Sequence, residues 1–124
     1  MLLPSMGYSQ SQTQLSDGVF SASQVERGAE SFAQECMDCH DVAEFTGAAA
    51  FFDDQVGESL WDIFEFIWAE MPEDRPAWLE PTEYADILSY LLSVYGFPAG
   101  SEDMPIDKPS LNAISMAIPE RRGS

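Results

Sequence analysis

Both cysteines and the single histidine of the chain fall within five consecutive residues, Cys36-Met37-Asp38-Cys39-His40. C-x-x-C-H is the spacing of a c-type haem attachment site. Residues three apart lie on one side of a helical turn, so both sulfurs can form thioethers to the vinyl groups of one porphyrin. His40, next in line, is then carried under the iron as its proximal ligand. Other uses of these residues are weaker. Structural zinc takes four N or S ligands, and Cys36, Cys39 and His40 are the only candidates. A thioredoxin-like pair sits at the end of a strand in a βαβ pattern, and no such pattern is found. A chance occurrence in a structural helix is the blandest alternative.

Composition narrows the function further. The 124 residues carry five basic and 22 acidic side chains, a formal net charge of −17. Nucleic-acid binding needs a basic footprint, which is missing, and an anionic membrane surface should repel this chain. Acidity either keeps a small exported protein soluble or steers it toward a basic partner surface. Apolar content is 45%, ordinary for a globular domain, and no stretch approaches the roughly 20 apolar residues of a membrane span. No basic segment followed by an apolar run opens the sequence. Haem attachment to C-x-x-C-H normally follows export, so a periplasmic or secreted location is expected, with a signal or upstream region outside this chain.

Three helices are expected to position the motif, giving an all-α class. The first begins at Ser21, whose hydroxyl can cap it with Gln24 at the N3 position of a capping box. It runs through Val25, Gly28, Ala29 and Phe32 to the motif. Gly28 is costly in a free helix and makes sense where another helix crosses closely. The second spans about Ser59 to Ala69, with Leu60, Ile63, Phe64, Ile67 and Trp68 on one face. The third starts near Pro81, suited to a first helical position. Tyr84, Ile87, Leu88, Leu91, Leu92 and Tyr95 form its stripe, and Gly96 is its expected terminator. Residues 1–20 read as a flexible Ser/Gln-rich tail or linker, 21–115 as the domain, and 116–124 as a C-terminal tail. Pro98, Pro105, Pro109 and Pro119 predict a segment wrapping the surface without long helices.

In this order, the segments resemble class I c-type cytochromes, and specifically the small cytochrome domains associated with quinoprotein alcohol dehydrogenases. The resemblance covers roughly residues 20–115. It rests on Gln24-Val25-Glu26-Arg27-Gly28, the Cys36–His40 motif, Thr46-Gly47, the run from Gly57 to Phe64, Met71-Pro72, the run from Tyr84 to Ser93, and Gly96 to Gly100. It implies a small cytochrome c fold of three main helices around one covalent haem c, with a distal methionine matched by Met71. Thioether sulfur favours ferrous iron and raises the potential. Pro72 also disfavours helical backbone at Met71, which frees its side chain to turn inward. Met104 and Met116 are the competing distal ligands.

The chain departs from the family at several points. Asp41 replaces the usual glycine after the haem histidine. Only 30 residues lie between His40 and Met71, none of them a proline whose carbonyl would orient the histidine. This is a shortened variant, and no residue is assigned to support His40. Gln55 stands for a tryptophan and Ala77 for a glycine. Arg75 is a candidate for contact with a haem propionate or a partner carboxylate. The pairs Asp53-Asp54 and Glu73-Asp74 invite comparison with glycosidase carboxylates, but solvated faces are expected in a chain this acidic.

The expected function is one-electron transfer, without enzymatic activity, as an exported redox carrier or electron-transfer domain. The resemblance implies a quinoprotein dehydrogenase as donor and an oxidase or extracellular oxidoreductase as acceptor, and the charge of −17 points to a basic docking surface on the partner. The alternative is a five-coordinate haem sensor or peroxidase-like enzyme, against which the lack of a second histidine weighs. A purely structural haem-stapled tethering module is a third reading.

Overall fold

The computed structural model describes residues 13–47 and 50–120, and over them the protein is all-α. Four α-helices follow in order: α1 (Ala22–Glu35), α2 (Leu60–Glu70), α3 (Pro81–Tyr95) and a short α4 (Lys108–Asn112). Short 3-10 turns lie at Leu15–Asp17, before α1, and at Val42–Phe45 and Phe51–Gln55, between α1 and α2. Among the described residues, β-structure is limited to isolated bridges between Ser21 and Gly100 and between Ser59 and Ser115. No helix among these residues is long and apolar enough to cross a membrane.

Each main helix starts and stops for a local reason. Ser21 is extended and accepts the Gln24 N–H on its hydroxyl at 3.1 Å, satisfying one of the orphan donors of a helix start. The expected reciprocal half of the capping box goes elsewhere. The Gln24 side chain is buried, and its carbonyl accepts the Met104 N–H at 2.7 Å, fastening the C-terminal segment to α1. Ser59 caps α2 by the same hydroxyl contact, to Asp62 N–H at 3.1 Å. Pro81 opens α3 and Gly96 ends it at φ +136°, a backbone state that favours glycine.

The core forms where α1 crosses α3. A Cβ on Gly28 would lie 1.9 Å from the Asp86 carbonyl oxygen and 2.9 Å from Tyr90 Cβ, so only glycine lets the helices meet this closely. Beside the crossing, Arg27 makes a two-pronged contact with Asp86 at 3.1 and 3.2 Å and reaches Asp103 at 3.1 Å. The expected α3 stripe is buried. Burying each such large apolar side chain is worth about 1.5–3 kcal/mol. In α2, Leu60, Ile63 and Phe64 are buried, while Ile67 and Trp68 pack partly covered against the core.

The structure corrects both expected tails. Leu15, Val19 and Phe20 are buried in the core, so the folded unit takes in residues before Ser21; residues 1–12 lie outside the described residues. The backbone of this segment presses on the C-terminal strap, where the Gly100 N–H donates to the Phe20 carbonyl at 2.6 Å. After Gly96 the chain does more than wrap. Met104, Leu111, Ile114, Met116 and Pro119 are all buried. The strap also pins the start of α2, with Leu60 N–H on Ile114 O at 2.7 Å and Met116 N–H on Glu58 O at 2.8 Å. Burial makes Met104 and Met116 core side chains. Residues 121–124 again lie outside the described residues.

Candidate functional site

The Cys36–His40 segment adds one more turn to the end of α1. Cys36 N–H donates to Phe32 O at 2.9 Å, and its own carbonyl accepts from Cys39 N–H at 3.1 Å and His40 N–H at 2.9 Å. This hydrogen bonding wraps the motif into a helix-like turn, as its spacing requires. The two thiols are free and differ in setting: Cys36 packs partly buried against the core and Cys39 is exposed. Burial pushes the Cys36 thiol up to about 11, helped by the charges of Glu35 and Cys39. A thiol–disulfide exchange site needs the opposite, a depressed pKa on its attacking cysteine. Among the described residues, no three His, Cys, Asp or Glu side chains are grouped to hold an ion.

His40 has a support that the sequence left unassigned. Its Nδ1 lies 3.0 Å from Glu44 Oε1, with the ring 33% exposed. The other Glu44 oxygen accepts the Asp41 N–H at 2.9 Å, and Asp41 caps the same 3-10 turn through Ala43 N–H at 2.9 Å. The Asp41 N–H, followed by His40, holds the Glu44 carboxyl below its usual range. In the neutral tautomer that donates to this carboxylate from Nδ1, Nε2 carries the free lone pair. On the ring's flank, Phe45 sits 6.4 Å away and packs edge-on against Phe32 at 6.0 Å.

Met71 closes α2 in an extended state, φ −121° and ψ 146°, and is partly buried. The bias imposed by Pro72 is thus visible in the backbone. Tyr84, from the first turn of α3, donates its hydroxyl proton to the Met71 carbonyl at 2.6 Å and accepts the Leu79 N–H at 3.3 Å. Burial raises the Tyr84 phenol above its ordinary pKa, and the charge of Cys36 adds to the effect. A second tie runs from Arg75 to Glu35, the last residue of α1, at 3.3 Å. Arg75 also stacks over Trp78, 5.2 Å from the ring centre. The loop carrying Met71 is therefore fastened, through Arg75 and Glu35, to the helix end that bears Cys36.

The remaining expectations separate. The Arg75 guanidinium is already paired within the chain. Asp53 is more than a solvated carboxylate, since it accepts the Tyr95 hydroxyl at 2.7 Å; Asp54, Glu73 and Asp74 are exposed. Ala77 keeps a left-handed backbone, φ +59°, which explains why glycine is the easier residue there. A groove of about 560 Å³ is lined by Thr13, Gly18, Asp103, Pro105 and Pro109 among others, away from the Cys36–His40 and Met71 segments. Sequence reasoning missed Glu44, Tyr84 and Glu35 as supports. The signal for Glu44 was its place three residues after the capping Asp41 and four after His40. Compared with protein-family models, curated proteins and solved structures, the chain matches none.

Proposed function

We propose that this protein is a small monohaem c-type cytochrome domain, a shortened relative of the class I cytochromes, that carries single electrons outside the cytoplasm. The observation that carries this reading is the C-x-x-C-H turn formed as a continuation of α1, with the Met71 loop tied back to it by Arg75 and Glu35. The donor set fits haem c: two thiols for covalent attachment, one imidazole with Nε2 free, and one soft thioether. When bound, the haem supplies an iron that cycles between ferrous and ferric states. Cys36 and Cys39 would anchor it, His40 would hold the iron on the proximal side and Met71 on the distal side. Tyr84 and Arg75 restrain the Met71 loop, so little rearrangement would accompany each electron. These residues perform no acid–base chemistry, and the domain is proposed as a carrier with no enzymatic activity.

The net charge of −17 supports a partner with a basic docking surface, such as a quinoprotein dehydrogenase, an oxidase or an extracellular oxidoreductase. Complementary charge acts mainly on the association rate. Exchange with a cationic reagent should slow as salt is added, because surface charge is screened over about 8 Å at physiological ionic strength. The ligand assignment is tested by spectra of protein made in a host that matures exported cytochromes. The ferric protein should show the weak far-red band of a sulfur–iron bond, and Met71→Ala should remove it and lower the potential. A high-spin five-coordinate spectrum in the wild type would instead select the sensor or peroxidase-like alternative.

A further inference from the structure

Resting on the haem reading above, we infer that Glu44 is a positioning residue for His40 and that its carboxylate biases the iron toward the ferric state. The support begins with geometry. Glu44 stands on the 3-10 turn Val42–Phe45, immediately after the C-x-x-C-H segment. One carboxylate oxygen faces His40 Nδ1 at 3.0 Å and the other is held by Asp41 N–H at 2.9 Å. The group is fixed at both ends and cannot swing away without losing its backbone contact. Phe45, the next residue, is buried and flanks the imidazole ring. The same short turn therefore supplies a hydrogen-bond acceptor and an apolar flank for one imidazole.

The chemistry follows from charge. A metal-bound histidine donates its second ring N–H to a carboxylate, a backbone carbonyl or water, and the partner sets its orientation and basicity. A carboxylate is the most strongly accepting of these, because charge-assisted hydrogen bonds are about twice as strong as neutral ones. Drawing on the Nδ1 proton enriches Nε2 in electron density and makes it a better donor to the more highly charged ferric ion. Met71 pulls the other way, since thioether sulfur favours ferrous iron. The potential is then set by two opposed supports: Glu44 behind the imidazole and the sulfur across from it.

The bland alternative is that Glu44 only completes the Asp41 capping box. Glu44→Gln distinguishes the two, since it keeps side-chain length and an oxygen for the Asp41 N–H but loses the charge. Redox titration of the holoprotein is the measurement. At the wild-type midpoint potential, the ratio of reduced to oxidised Glu44→Gln protein should rise about tenfold, a shift of about 59 mV for one electron. Asp41→Ala removes the Asp41 side-chain cap while leaving Glu44 charged, and should leave that ratio within about twofold. An unchanged midpoint in Glu44→Gln, with haem covalent and His40 bound, overturns the inference and leaves the haem reading intact. Absence of covalent haem in the wild type overturns the haem reading itself, before any variant is made. Should Glu44→Gln not retain haem, the His40 Nδ1 proton resonance of the ferrous wild type decides. A strongly deshielded position supports the carboxylate bond, and the position of a water-bonded imidazole contradicts it.

Discussion

The α1–α3 crossing and the loops that carry His40 and Met71 are built on opposite plans. At the crossing, backbone meets backbone: Gly28 lies against the Asp86 carbonyl, and the Arg27–Asp86 pair locks its edge. The loops are short turns, largely exposed, each held by a few side-chain hydrogen bonds: Glu44 to His40, Tyr84 to Met71, Arg75 to Glu35. Such contacts are worth about 0.5–1.5 kcal/mol each, whereas the crossing rests on buried apolar stripes. The difference teaches that stability and the geometry of the proposed ligands are set in separate places. Residues around the proposed iron ligands can change without threatening the fold, and the loops should open long before the helices do.

The sharpest break of this contrast is at Gly28. Gly28→Ala forces a Cβ into the Asp86 backbone and should destabilise the protein by about 3 kcal/mol or more, through overpacking that no side-chain rotation relieves. Urea unfolding measures it. The neighbouring Ala29→Gly should cost only about 1 kcal/mol, the ordinary helix penalty. If Gly28→Ala unfolds at the wild-type urea concentration, the crossing is not as close as described. Next in size comes Tyr84→Phe, which leaves the Met71 carbonyl and the Leu79 N–H without their partner and should cost about 1–2 kcal/mol. Hydrogen exchange should locate the loss in residues 70–80, with the slowest amides of α1 and α3 unaffected. A uniform loss across α1 and α3 would erase the distinction between the two regions.

Smaller effects sharpen the same picture. Ala77→Gly relieves a left-handed backbone and should raise stability by about 1 kcal/mol in thermal unfolding; a destabilised variant would contradict the φ of +59°. Smallest is the Arg75–Glu35 pair, whose arginine side chain is 43% exposed. A double-mutant cycle with Arg75→Met and Glu35→Gln should return about 0.5 kcal/mol of coupling. A null coupling would leave Tyr84 as the main restraint on the Met71 loop.

What was legible in the sequence was whatever depends on local pattern. Ser21, Ser59, Pro81 and Gly96 mark helix ends because caps and terminators act on neighbouring backbone, and they stand where expected. Gly28 announced a crossing because a glycine inside an amphipathic helix has a cost that only close packing offsets. What escaped depends on distant partners. The polar run before Leu15 masked the apolar Leu15, Val19 and Phe20, whose burial requires the C-terminal strap. Prolines after Gly96 forbade a long helix without forbidding a core contribution from Met104, Leu111 and Ile114. At the candidate site, residue types and spacing picked out Cys36, Cys39 and His40, and the family resemblance pointed to Met71. Their supports escaped because each acts across a turn or between elements: Glu44 from a 3-10 turn, Tyr84 from α3 and Glu35 from the end of α1.

Covalent haem at Cys36 and Cys39 is the claim on which the function depends. Intact mass under denaturing, acidic conditions tests it most directly, on protein made where exported cytochromes mature. The chain should carry the added mass of one haem, retained after acid–acetone extraction. Replacing either Cys36 or Cys39 by alanine should weaken that retention. A polypeptide of the bare 13.7 kDa, with all colour in the solvent, would contradict it.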